Sequence, residues 1–127
     1  MPTYDGVHFD PPAPVARVVL RCPQTGRQVA DVEIFLDSGA DVTLLPRTAA
    51  IQVGAVATPE QRCELMGFDG SRSFADVVFL DLILLGKAFR GRYLLTDDPC
   101  GILGRDVLNH LSICLDGPGL LWSESSR

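Results

Sequence analysis

Alternating apolar and polar residues mark two extended segments in the first third of the chain. In residues 15–22, Val18 and Leu20 fall on the face opposite Arg17. Residues 28–36 alternate in the same way and finish on Ile-Phe-Leu, which is apolar on both faces. A period of two is typical of a half-buried β-strand. The sequence therefore predicts two strands, the second of which ends inside the core.

Turn residues separate further extended segments, and neighbouring segments are expected to form hairpins. Gly-Phe-Asp-Gly at 67–70 and Gly-Lys at 86–87 each lie between two such segments. These later predicted strands cover residues 61–66, 71–76, 77–85, 88–96, 112–115 and 120–122. Short helices are predicted at 47–52 and 105–111 only. Many short strands with few helices indicate a mainly β domain with a closed, curved, barrel-like sheet.

The chain is short enough to hold a single core. With 127 residues, two separate domains would each fall near the size at which burial barely offsets chain entropy. Residues 1–14 are rich in proline, which favours an extended arm over a packed element. We therefore expect regular structure to begin after Pro14 and one domain to cover residues 15–127.

Charge and hydrophobicity exclude some classes of partner. The net charge is -5 and the 11 basic residues are scattered, so no surface for nucleic acid is expected. No apolar run approaches the ~20 residues of a membrane span, and the first residues lack a secretory pattern. A cytoplasmic protein without membrane contact is the default expectation.

Metal and cofactor chemistry is not indicated by the sequence. The four cysteines are far apart, with no C-x-x-C pair, so free and mostly buried thiols are expected. His8 and His110 are separated in the sequence from any cluster with metal-ligand spacing. We expect neither a metal nor an organic cofactor.

One aspartate stands at the end of a predicted buried strand. Asp37 is followed by Ser38 and Gly39, and apolar residues lie on both sides of this turn. Asp, Ser and Gly are common turn residues, so the tripeptide alone fits a solvated turn. A solvated turn does not need apolar flanks, however, and a carboxylate held close to a core costs free energy. The context therefore favours a functional acid or base.

Two motifs in this sequence together resemble those of the retropepsin family of aspartic peptidases. The first is F-L-D-S-G-A-D-V-T-L-L-P at 35–46, and the second is I-L-G-R-D-V-L at 102–108. Residues 67–70 lie between them, where the family has its flap, and the resemblance extends over about residues 15–122. Two features depart from the family: the flap tip carries Phe68 and Asp69 instead of more glycine, and the arm has no obvious counterpart.

The resemblance implies a retropepsin fold, a homodimer and an aspartic endopeptidase that acts on a peptide or protein substrate. Each subunit would supply one catalytic Asp37, because no other aspartate in the chain is followed by Ser or Thr and then Gly. Ser38 would bond across the dimer axis, and Gly39 would let the backbone approach the carboxylate. No cofactor is implied.

The resemblance also implies further site residues. Ala40 completes the active-site loop, and Asp41 would pair with Arg105. The implied substrate-binding residues are Asp41, Met66, Gly67, Phe68 and Ile102. A rival interpretation stays open: a module that keeps the fold and binds peptides or dimerises without cleaving anything.

Overall fold

The computed structural model describes the backbone of residues 2–55, 58–66 and 72–125, and the side chains of residues 2–55 and 76–125. Its helices are α1 (Arg47–Gln52) and α2 (Arg105–Leu108). Its strands are β1 (Tyr4–Asp5), β2 (Ala13–Arg21), β3 (Gln28–Leu36), β4 (Leu44–Pro46), β5 (Thr58–Met66), β6 (Arg72–Leu84), β7 (Lys87–Thr96), β8 (Gly101–Leu103), β9 (Ile113–Asp116) and β10 (Leu121–Glu124).

Strand pairing closes the sheet on itself. Within the described residues, six strands follow one another around a ring in the order β2-β3-β8-β4-β7-β6, and β6 pairs back onto β2. β3 pairs with β8 and β4 pairs with β7 in parallel, whereas β4 pairs with β8 in the antiparallel direction. The predicted closed, curved, mainly β fold is therefore confirmed.

The hairpins differ from the prediction in the length of one strand. Residues 71–76 and 77–85 were expected to form two strands, but β6 is continuous, because it pairs with β5 along its first half and with β7 along its second. The predicted turn at 67–70 between β5 and β6 lies outside the described residues. α2 covers only the first turn of the helix predicted at 105–111.

The barrel interior is filled by aliphatic side chains from facing strands. Fully buried members include Leu20, Ile34, Leu45, Leu80, Leu82 and Leu103. The β9–β10 hairpin packs on this core through Trp122, whose indole Nε1–H donates to the Val15 carbonyl at 2.7 Å. Because a buried indole N–H needs an acceptor, this bond fixes the hairpin against β2.

The N-terminal arm is packed against the domain, contrary to the sequence prediction. β1 pairs with the start of β2, Tyr4 opposite Pro14, and the Tyr4 N–H donates to the Leu120 carbonyl at 3.0 Å. The Phe9 ring lies 5.3 Å from the ring of Phe35. Proline enrichment suggested an unpaired segment, but the edges of β2 and of the terminal hairpin offer backbone partners. A boundary at Pro14 between the arm and the domain stays a prediction.

Within the described residues, no helix combines the length and hydrophobicity that membrane spanning requires.

The described cysteines differ in exposure. Cys22 is buried, but Cys100 is partly exposed and Cys114 is exposed, so the expectation of mostly buried thiols is wrong for Cys114. All three are free.

Candidate active site

Asp37 follows directly on β3 and is held by two backbone hydrogen bonds and one hydrogen bond to its carboxylate. Its N–H donates to the Leu103 carbonyl at 3.0 Å, and its carbonyl accepts from Ala40 at 3.1 Å. The Gly39 N–H donates to Asp37 Oδ1 at 2.9 Å. The carboxylate is partly exposed, and Ser38 and Gly39 are exposed. The loop thus presents a carboxylate at the surface in a fixed orientation.

The close approach of the Asp37 carboxylate favours glycine at position 39. A Cβ at Gly39 would lie 3.1 Å from Asp37 Oδ1, closer than ordinary van der Waals contact. Gly39 therefore allows both the predicted tight turn and the close approach of the backbone to the Asp37 carboxylate.

The two sequence motifs meet in the fold. Leu36 pairs with Leu103 in the parallel β3–β8 ladder, and the Arg105 N–H donates to the Ala40 carbonyl at 2.8 Å. The two segments also approach closely at Gly104 of the second motif. Position 104 requires glycine, since a Cβ there would lie 2.5 Å from the Val42 carbonyl oxygen. No side chain fits between these two backbone segments.

A polar network that sequence analysis missed joins the same two segments. Thr43 is fully buried, and its hydroxyl donates to Asp106 Oδ1 at 2.6 Å and accepts the Gly104 N–H at 3.0 Å. The Thr43 N–H donates to Asp106 Oδ2 at 3.1 Å. A signal was present in the sequence, because a threonine inside the apolar run V-T-L-L needs partners when it is buried.

The predicted ion pair between Asp41 and Arg105 is not formed. Both side chains are exposed, and within the described residues they form no ion pair with each other. Arg105 Nη1 donates instead to the Ser38 carbonyl at 2.7 Å. The guanidinium therefore stabilises the loop after Asp37 through its backbone and not through Asp41.

Ile102 lines a cavity of about 390 Å³ between the arm, β3 and β8. Ile102 pairs with Phe35 across β3 and β8, and both border this space together with Phe9 and Pro99. Cys100 also borders it, and burial raises the pKa of its thiol to about 11, so this part of the lining is neutral near pH 7. Of the other predicted substrate-binding residues, Met66 ends β5, and Gly67 and Phe68 lie outside the described residues.

A second cluster contradicts the expectation that His8 stands alone. Among the described side chains, one atom each from Asp5, His8 and Glu33 lie within 4.8 Å of one another. His8 Nδ1 is 2.7 Å from Asp5 Oδ2 and 3.9 Å from Glu33 Oε2, and the second approach was hidden by the separation of His8 and Glu33 in the sequence. Such donors could hold a metal ion, but a protonated His8 satisfies the same carboxylates. The absence of a metal stays a prediction.

The electrostatics of this cluster follow from its contacts. The His8 backbone N–H and ring hold the pKa of the Asp5 carboxyl well below its usual range, and the Asp5 carboxylate raises the pKa of His8. Burial, followed by the charge of Asp5, raises the pKa of Glu33. The His8 ring lies 2.7 Å from Asp5 and 3.9 Å from Glu33, so this cluster joins the arm to β3.

Comparison with known proteins supports the fold. No protein-family model matches the chain. Among solved structures it is similar to the EIAV protease, which was determined in complex with the inhibitor HBY-793, with a TM-score of 0.57 and 19% sequence identity. The similarity covers 84% of this chain and 91% of the EIAV chain. At this identity the likeness shows the fold alone, and the predicted retropepsin-like fold is confirmed.

Proposed function

We propose that this protein is an aspartic endopeptidase whose active site contains two Asp37 carboxylates, one from each subunit of a homodimer. One observation carries the proposal: in a retropepsin-like fold, Asp37 stands at the end of β3 with its Oδ1 oriented by the Gly39 N–H, where the two motif segments meet. An ordinary solvated turn does not require an oriented carboxylate, and it does not require a second motif segment packed against it.

The chemistry requires two carboxylates that face one water molecule. Like charges about 3 Å apart do not both ionise, so one carboxylate acts as base while its protonated partner acts as acid. The base removes a proton from water, which attacks the carbonyl carbon of the scissile peptide bond. The acid donates a proton to the carbonyl oxygen, and collapse of the tetrahedral intermediate transfers a proton to the leaving amine.

Residues around Asp37 would have positioning roles. Gly39 orients Oδ1, and Arg105 holds the Ser38 carbonyl, so the loop geometry is set within one subunit. The exposed Ser38 hydroxyl is then available to bond across a two-fold axis. Preorganised groups of this kind need little rearrangement when substrate binds.

The rival function is a silent module that binds peptides or dimerises through the same fold. The cavity beside Phe35 and Ile102 would serve such a module equally well. The two functions differ in one measurable respect, since only the peptidase makes new peptide termini.

Cleavage of a diverse peptide mixture, measured by mass spectrometry from about pH 4 to about pH 7, tests the proposal. We expect wild-type protein to cleave and a statine-type inhibitor to block it. Asp37→Asn should lower the rate by about 10²- to 10⁴-fold or more, because the amide cannot exchange the dyad's proton. Asp31→Asn is the matched control, since Asp31 is exposed on β3, the strand that precedes Asp37.

The outcome depends on folding as well as on activity. Circular dichroism and the melting temperature should be unchanged in both variants, because the substitutions are isosteric. A folded Asp37→Asn protein that keeps most of its activity would remove Asp37 from the mechanism. Peptide binding without any cleavage by the wild type would favour the silent module.

A further inference from the structure

Three side chains with metal-binding donors meet where the N-terminal arm lies against β3. His8 Nδ1 is 2.7 Å from Asp5 Oδ2 and 3.9 Å from Glu33 Oε2, and one donor atom of each residue lies within 4.8 Å of the other two. Bonds of about 2.1 Å to a zinc ion place neighbouring donors roughly 3.0–3.5 Å apart. The Asp5–His8 pair therefore has to separate, and the His8–Glu33 pair to approach, by less than about 1 Å.

Two of these side chains are held in place, and the third is free to adjust. The Asp5 side chain is 9% exposed, and its Oδ1 accepts the N–H groups of Val7 and His8 at 2.8 and 3.0 Å, so its Oδ2 is directed at the imidazole. The Glu33 side chain is 19% exposed and stands on β3. The His8 side chain is 66% exposed, so its ring can make the small movement that metal binding requires.

The balance of charge in the cluster favours a bound cation. Among the described residues, the basic groups within 4 Å of the two carboxylates are His8 and Arg17. Arg17 lies 3.9 Å from Glu33 and is 63% exposed, so solvent screens most of its attraction. With a neutral imidazole, two mostly buried carboxylates lack a close counter-charge, which is costly. A proton on His8 is the alternative to a metal, and the two exclude each other at Nδ1.

A cavity separate from the active-site loop gives access to the cluster. Asp5, His8 and Glu33 all border this space of about 610 Å³, which also reaches the buried Val15 on β2. Asp37 is not among the described residues that line it. A zinc ion with three protein ligands keeps at least one further coordination position, which water fills. The cavity provides the room for that water and a path for the ion.

We propose that Asp5, His8 and Glu33 bind a divalent transition-metal ion, with Zn²⁺ as the best match, which links the N-terminal arm to β3. One imidazole and two carboxylates suit Zn²⁺, whereas Mg²⁺ and Ca²⁺ prefer oxygen ligands throughout. The proposal departs from the sequence-based expectation of no metal, because the third ligand is far from the other two in the sequence. The ion has a structural role, and the proposed peptidase chemistry at Asp37 does not depend on it.

Calorimetric titration of the chelator-treated full chain with Zn²⁺ tests the site. We expect the wild type to bind one equivalent per chain. His8→Gln and Glu33→Gln should each weaken binding by about 10- to 100-fold or more, because each removes one ligand. His110→Gln is the matched control, since His110 is the other histidine of the chain and lies outside the cluster. The exposed position of His8 makes His8→Gln the variant least disturbing to the fold, and circular dichroism checks this.

The melting temperature gives a second measurement, because an ion that binds only the folded chain stabilises it. Zn²⁺ should raise the melting temperature of the wild type and of His110→Gln, but not that of His8→Gln. No binding by the wild type, with an unchanged melting temperature, would overturn the proposal. Equal Zn²⁺ affinities of the wild type and His8→Gln would place the ion elsewhere, for example at the exposed Cys114, and would also overturn it. Mg²⁺ binding as tight as that of Zn²⁺ would exclude the imidazole as a ligand.

Discussion

The hydroxyl of Thr43 donates a 2.6 Å hydrogen bond to Asp106, which joins the segment after the active-site loop to the first turn of α2. The same oxygen accepts the Gly104 N–H. Thr43 lies in the first motif segment and both partners of its hydroxyl lie in the second, so one buried side chain joins the two segments next to Asp37. The contact between the two motif segments therefore depends on this polar network as well as on apolar packing.

Thr43→Val is expected to destabilise the fold by about 1–3 kcal/mol, because the isosteric methyl leaves the Gly104 N–H without its acceptor. The free energy of unfolding from urea denaturation measures this change. Thr43→Ser is the control, since it keeps the hydroxyl while it loses a methyl group. A Val variant as stable as the wild type would show that water replaces the lost bonds at no cost.

Local patterns in the sequence predicted most of the barrel. The period of two predicted β3 with its observed bounds, and the turn predicted at 86–87 lies one residue from the observed turn at 85–86 of the β6–β7 hairpin. The continuity of β6 was missed because it arises from pairing with two different partners. Sequence periodicity contains no information about which strand pairs with which. The pairing of β2 with β6, which closes the ring, could therefore be expected only from the resemblance.

The site was predicted in its motifs but not in its side-chain partners. The positions of Asp37 and Gly39 follow from local turn chemistry, which the sequence displays directly. The partner of Arg105 was predicted wrongly, because a backbone carbonyl is an acceptor that no residue type reveals. Phe9 was assigned to an unpacked arm, since its contact with Phe35 depends on a tertiary approach.

Gly104 is expected to tolerate no side chain. A Cβ would lie 2.5 Å from the Val42 carbonyl oxygen, and the atoms it meets are all backbone atoms of Val42, which cannot shift as easily as the end of a side chain. Gly104→Ala should cost about 1–3 kcal/mol or more and lower activity, because the segments must separate. Gly117→Ala is the matched control, since nothing lies within 4 Å of a Cβ there. Equal melting temperatures for the two variants would contradict this argument.

Asp81 is expected to stabilise the fold down to acidic pH. Its side chain is 1% exposed and accepts hydrogen bonds from Arg90 and Arg21 at 2.8–3.2 Å and 3.0 Å. Hydrogen bonds from Arg90, and next from Arg21, hold the pKa of this carboxyl below its usual range despite burial. A lowered folded pKa gives stability that is present above the unfolded value of about 3.9 and lost as pH falls through the folded value.

Asp81→Asn should therefore lower the free energy of unfolding by about 1–3 kcal/mol at neutral pH, and the difference from wild type should shrink below about pH 4. Urea denaturation at both pH values measures the two differences. The exposed Asp31→Asn should change stability little at neutral pH, since Asp31 is exposed to solvent. A difference for Asp81→Asn that grows on acidification would reverse the assigned sign.

Dimerisation can be tested through the count of catalytic groups, because the proposed chemistry needs two carboxylates and each chain holds one Asp-Ser-Gly. Specific activity should fall on dilution below the dissociation constant of the dimer. Refolding wild-type chains with excess Asp37→Asn chains should place wild-type subunits in heterodimers that have one usable carboxylate. The Asp37→Asn chains should therefore inhibit the peptidase activity of the wild type. Excess Asp31→Asn chains, which keep Asp37, should not inhibit. Constant specific activity across dilution, with no inhibition by Asp37→Asn chains, would require a complete active site within one chain.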